Sequence, residues 1–282
     1  MPHVRLAPPA PTGPGVLLPR RELAVAWILL TVLAALAWAL TVAQSREMGA
    51  GTGTMGMALP PFLVLWVVMM AAMMLPSVAP VALTWVATIG RTSANPAVRA
   101  VRTAGFLVGY LLAWTAFGLV AYGLLAMTDR LLGAHPEAGR WIGAGAFLLA
   151  AVQQFGPLKS VCLRHCRSPM FQLLRYSRFR PWAKDLRVGA HHGTYCVGCC
   201  WGLMIVLIPL GVMNVAAMAG LAVVIFLEKL WRQGPWLAWA VGAAFLVLAV
   251  LAPFQDWVLP GLQASDPSMD MGMGLMPGWT HW

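Results

Sequence analysis

P-P-F-L-V-L-W-V-V-M-M-A-A-M-M-L-P-S-V-A-P-V-A-L-T-W-V-A-T, residues 60–88, contains no charged side chain over a length that crosses a bilayer as a helix. Comparable apolar runs occupy residues 23–43, 104–127, 141–158 and 236–254, and a longer one covers 194–230. The composition agrees, with 60% hydrophobic and 10% charged residues. Ordinary soluble domains carry about 25% charged residues. The mean hydropathy is +0.75. Backbone groups in lipid must be satisfied within the chain, so continuous runs imply helices, whereas a β-barrel would show short alternating segments. The expected fold is therefore all-α, a polytopic helical membrane protein.

The number of spans turns on residues 194–230. A single helix of that length exceeds what a bilayer needs, and Pro209, Gly211 and Asn214 lie in its middle, where a helix bends or ends. Undivided, the stretch gives six transmembrane helices; divided, it gives seven. With a cytoplasmic N-terminus, seven spans leave only Arg46, Arg130 and Arg140 outside, so the positive-inside rule favours seven. Arg20 and Arg21 precede a run from Leu23 to Ala43 that is longer than a signal-peptide core of about 7–15 residues, so a retained first span is expected. The chain then divides into a disordered cytoplasmic leader (1–22), a helical transmembrane domain (23–254) and a Met-rich C-terminal tail (255–282). Within the domain, residues 159–193 read as a basic, cysteine-containing cytoplasmic segment.

The net charge of +10 does not indicate nucleic acid, because the basic residues concentrate in short loops, where topology and anionic lipid headgroups account for them. Membrane lipid is the expected surface partner.

All five cysteines fall between residues 162 and 200, as C-L-R-H-C (Cys162, His165, Cys166) and C-V-G-C-C (Cys196, Cys199, Cys200). Cys162 and Cys166 are four apart, as are Cys196 and Cys200, so on a helix each pair shares one face. Thiolates with thioethers form the set that soft copper(I) prefers, while zinc uses thiolate and little methionine. Methionine is abundant, with 17 in the chain. Met69, Met70, Met73 and Met74 make two four-residue pairs in the second span, and Met269, Met271 and Met273 recur in the tail. The span methionines fit a copper(I) path, and they fit better the commoner role of core gap-fillers. The cysteines read as a metal site, with buried packing or a thiol redox pair as alternatives. Under seven spans the tail and the outer-loop residues Met48, Met55 and Met57 lie on one side.

His191 and His192 read as polar loop residues, and Gln153 and Gln154 as helix-terminating ones. Glu228 and Lys229 read as an interfacial pair at a helix end, and Asn214 as a cap. No P-loop occurs, nor a phosphorylation segment or a nucleophile with a base, so no enzyme is expected.

The segments M-M-A-A-M-M-L-P-S-V-A-P (69–80), G-Y-L-L-A-W-T-A-F-G (109–118), F-G-P-L-K-S-V-C-L-R-H-C-R-S-P (155–169) and C-V-G-C-C-W-G-L-M (196–204), with G-V-M-N (211–214) and E-K (228–229), resemble a bacterial domain-of-unknown-function family of predicted metal-binding integral membrane proteins. The resemblance covers residues 60–232 and implies an inner-membrane location and a metal role for Cys162, His165, Cys166, Cys196, Cys199 and Cys200. The functional expectation is a soft-metal protein, for copper(I) with zinc as the other candidate, acting in transport or delivery with a metallochaperone or membrane-complex partner. The rival expectations are a structural subunit of a membrane complex and a thiol oxidoreductase using Cys196 and Cys199.

Overall fold

The computed structural model describes residues 20–48, 53–54, 56–93, 95–168 and 183–262. Among them all regular structure is helical: α1 (Arg20–Met48), α2 (Leu59–Thr92), α3 (Pro96–Ala134), α4 (Ala138–Phe155), α5 (Pro157–Cys166), α6 (Lys184–Ile205), the single turn α7 (Leu207–Leu210), α8 (Val215–Leu230) and α9 (Gly234–Leu251), then a 3-10 turn at Asp256–Val258. Four helical segments are long and apolar enough to cross a membrane: Leu23–Glu47, Leu59–Gly90, Pro96–Ala134 and Gly234–Leu251. The pair α4 and α5 qualifies together as one span bent by 62°. α6 carries too many polar residues to join them, and α8 is too short, at 16 residues.

Two of the breaks have local causes. Pro157 has no N–H to donate, and it holds Gly156 extended (φ −69°, ψ 151°), so the helix expected to run through residue 158 ends at Phe155 and turns into α5. At the end of α7, Gly211 adopts φ +94°, which a side chain would resist. Asn214 then caps α8: its Oδ1 accepts from Ala217 N at 3.1 Å, and its Nδ2 donates to Leu210 O at 3.0 Å. The 194–230 stretch is thus α6 with the single turn α7, followed after the tight turn by α8.

Contacts between helix termini sort the bundle into two ends. At one, Asp185 at the start of α6 accepts from Arg102 Nε of α3 and from Trp85 Nε1 of α2, both at 3.0 Å. At the other, Gly261 N donates to Pro209 O at 2.9 Å, and Leu259 packs on Gly143 near the start of α4. There too, Asp129 near the end of α3 accepts from Thr54 N and Oγ1, just ahead of α2. Helices α2, α3 and α6 with α7 each run from one end to the other.

The most extensive helix contact is between α3 and α6. Its cause is a seam of glycines at four-residue spacing, Gly105 and Gly109 against Gly189 and Gly193. A Cβ at Gly109 would run into the carbonyl oxygen of Leu186, and one at Gly189 into that of Phe106. The backbones therefore approach as closely as small-residue seams allow. This contact sets the rotation and register of α6, which carries three of the five cysteines.

Glu228, at the end of α8, is buried rather than interfacial. Its carboxylate accepts from Lys159 Nζ of α5 at 2.6 Å and from Gln154 Nε2 of α4 at 2.9 Å. Arg167 donates to the Glu228 carbonyl at 2.7 Å. Lys159, expected in a basic loop, is only 2% exposed. Removing one member of such a pair strands a buried charge, at about 3–5 kcal/mol.

Gly189→Leu should force α3 and α6 apart and abolish a monodisperse size-exclusion peak in detergent. Gly145→Leu, where an added side chain meets nothing within 4 Å, should leave the peak unchanged.

Candidate metal centre

The periodicity of α6 places His192, Cys196, Cys199, Cys200, Leu203 and Met204 on its buried side. The α3–α6 seam positions this face, because Cys196 follows Gly193 by three residues. Tyr110 of α3 meets it, with its hydroxyl 3.0 Å from Cys196 Sγ. From α8, Lys229 Nζ donates to the same sulfur at 3.0 Å and to Ser77 Oγ of α2 at 3.1 Å. From α5, Cys166 brings its sulfur to 3.9 Å from Cys199 Sγ, which lies 3.2 Å from Cys200 Sγ. Cys199 Sγ also donates to its own helix at Cys196 O, 3.2 Å away. Four helices thus converge on one group of sulfurs, and all five cysteines are buried and free.

The remaining expected ligands take different places. Cys162 Sγ rests on Gly198, beside the group. His165 is half-buried and stacks on Tyr195 with ring centroids 3.8 Å apart, and it faces His191 at 5.6 Å and His192 at 6.3 Å. His191 and His192 belong to α6, not to a loop, and His192 is buried against Phe106 and Tyr110. Met69, Met70, Met73 and Met74 are at most 1% exposed on the inner face of α2. Their link to the thiols runs through Ser77, which donates to Met74 O at 2.9 Å and accepts from Lys229. Met269, Met271 and Met273 lie outside the described residues, as do residues 1–19 of the leader.

Sequence reading missed Tyr110, Ser77, Gln153 and Lys229 as site residues. Gln153 is buried and donates through Nε2 to Cys199 O at 3.1 Å and to Gly198 O at 3.3 Å, bracing the cysteine turn from α4. The usable signal was polarity within apolar helices: a buried amide pair and an acid–lysine pair there are costly unless partnered.

Among the described residues, no three His, Cys, Asp or Glu side chains form a ready ligand set. What is formed is a pair-wise arrangement. Two thiolates bound to one ion at about 2.3 Å each can stand no more than about 4.6 Å apart. Cys166 with Cys199, and Cys199 with Cys200, both lie inside that limit. The chemistry is that of a two-sulfur site in a dry interior, with one ammonium beside it. Thiolate sulfur is the donor that soft metal ions prefer.

A helical bundle of long apolar helices around a buried thiol group defines the class. The PpoB2 family model, described as copper chaperone, matches residues 63–252, which contain the whole thiol group and the methionine face of α2. The chain belongs to that copper chaperone family, in keeping with the metal role its resemblance implied. No curated protein and no solved structure matches the chain.

Burial also bears on the thiol-exchange alternative, which requires access for an incoming thiol or disulfide. In native protein in detergent, Cys196, Cys199 and Cys200 should resist N-ethylmaleimide, and all five cysteines should react after denaturation, as counted by mass spectrometry. Rapid native labelling of Cys199 or Cys200 would contradict the burial described.

Proposed function

We propose that this chain is a multi-pass chaperone of the bacterial inner membrane that binds Cu(I) at its buried thiols and hands it to a partner. The observation that carries the reading is the contiguous sulfur group of Cys166, Cys199 and Cys200, assembled from two helices inside an apolar bundle. Thiolate pairs hold Cu(I) through soft, exchangeable bonds, and a dry site keeps competing hard ligands away.

A seven-span arrangement with a cytoplasmic N-terminus is supported by α6 with α7 running between the same two ends as α2 and α3, and by α8 turning back at Gly211, though α6 and α8 each alone falls below the hydropathy or length of a free span. Buried against α2, α3 and α4, they need not be apolar all round. That arrangement puts the tail beyond Leu262 at the end of the bundle where Thr54 meets Asp129. The tail methionines Met269, Met271 and Met273 would then share the outer side with the loop before α2, as a capture surface. Met69, Met70, Met73 and Met74 would lie between that side and the thiols.

The test is Cu(I) competition against a chromophoric chelator on the anaerobically purified full chain. Wild type should hold Cu(I), and Cys199→Ser/Cys200→Ser should weaken it by more than about 100-fold, beyond the 10–100-fold usual for an outer-shell partner. A monodisperse variant that retains wild-type affinity would reject the assignment.

A further inference from the structure

Lys229 stands out among the groups around the thiols because of its charge. It is buried in α8, and its Nζ donates to a hydroxyl, Ser77 Oγ at 3.1 Å, and to a sulfur, Cys196 Sγ at 3.0 Å. No carboxylate balances it among the described residues. Its neighbour Glu228 is turned away and fully committed, to Lys159 Nζ at 2.6 Å and Gln154 Nε2 at 2.9 Å. The pair Glu228 and Lys159 is neutral as a unit, so the counter-charge for the Lys229 ammonium has to come from the thiols, of which Cys196 is the one it touches. A buried charge without a counter-ion is costly, and the nearest groups able to become anionic are the thiols themselves.

We infer that Lys229 makes the thiol site selective for a monovalent ion, by setting the charge that the bound complex must carry. The inference rests on the copper reading of the thiol group and concerns which ion that group accepts. A monovalent ion held by two thiolates, with Cys196 as one of them, is a complex of charge −1, which the Lys229 ammonium brings to zero. A divalent ion held by the same two thiolates is neutral by itself and leaves the ammonium uncompensated. Divalent zinc would need a third thiolate to reach neutrality, and no three such side chains stand ready among the described residues. The bundle interior magnifies the difference, because charge imbalance is penalised far more there than in water.

Neither a purely structural role nor a general positive potential predicts the same result. A lysine that only held α8 against α2 and α6 would, when removed, weaken both metals together. A charge-setting lysine has opposite effects on the two ions. In Lys229→Met, a monovalent complex keeps an unbalanced negative charge and a divalent complex becomes neutral with its surroundings. Lys229→Arg retains the charge on a different donor geometry and serves as the control.

The measurement is competition of the full-length detergent-purified protein against chromophoric chelators, with Cu(I) under anaerobic conditions and Zn(II) separately. Wild type, Lys229→Met and Lys229→Arg are compared, each first checked for a monodisperse elution profile. The expected result in Lys229→Met is a Cu(I) affinity lower by about ten-fold or more and a Zn(II) affinity that rises. Lys229→Arg should keep the wild-type order of the two metals. Parallel weakening of both metals in Lys229→Met, or no change in either, overturns the inference while leaving copper binding by the thiols intact. Failure of wild type to bind Cu(I) overturns the copper reading itself, and the inference with it. If Lys229→Met does not fold, Lys229→Gln is read by the same criterion, and Lys229→Arg with a reversed metal order overturns the inference independently.

Discussion

The backbone approach of α3 and α6 sets most of what matters in this molecule. Glycines at 105, 109, 189 and 193 let main chain meet main chain, and any side chain at Gly109 or Gly189 would occupy the space of a carbonyl oxygen. Because that contact leaves α6 no freedom to rotate, the cysteine face points at Tyr110 on one side and at α5 and α8 on the others. Among the described residues the thiols are brought together by helix packing, and all five cysteines are free.

A second constraint follows from burying polar groups in an apolar bundle. Each must find a partner, and the partners come from other helices: Lys159 and Gln154 for Glu228, Ser77 and Cys196 for Lys229, the Cys199 carbonyl for Gln153. These contacts tie α2, α4, α5, α6 and α8 around the sulfurs. They give specificity of arrangement where the apolar contacts alone would allow sliding. The bend at Gly156 and Pro157 belongs to the same scheme, since it is what turns α5 inward and delivers Cys166 to Cys199.

Much of the architecture was legible because it is written locally. Long uncharged runs specify helices, and Pro209, Gly211 and Asn214 mark a turn through φ restriction and capping, which act within a few residues. The four-residue cysteine spacing likewise reads correctly as one face of a helix. The partners of that face were not legible, because which helix lies opposite is decided by packing over the whole bundle. Lys229 illustrates the difference. A lysine next to a glutamate at the end of an apolar helix normally sits at an interface, and only the tertiary structure shows that the glutamate is taken by Lys159. His191 and His192 differ from expectation for a related reason: their polarity suggests a loop, but α6 begins at Lys184 and carries both, with His192 buried. The methionines of α2 remained readable in two ways, since both core packing and ligation require burial.

In the proposed site, sulfur is what the metal meets. Copper K-edge X-ray absorption on the Cu(I)-loaded, anaerobic full chain reads this directly. The expected spectrum shows a first shell of sulfur only, at low coordination number and with metal–sulfur distances of about 2.2–2.3 Å. A first shell dominated by nitrogen or oxygen would contradict it and move the metal from the cysteine face of α6 to the histidines around Tyr195.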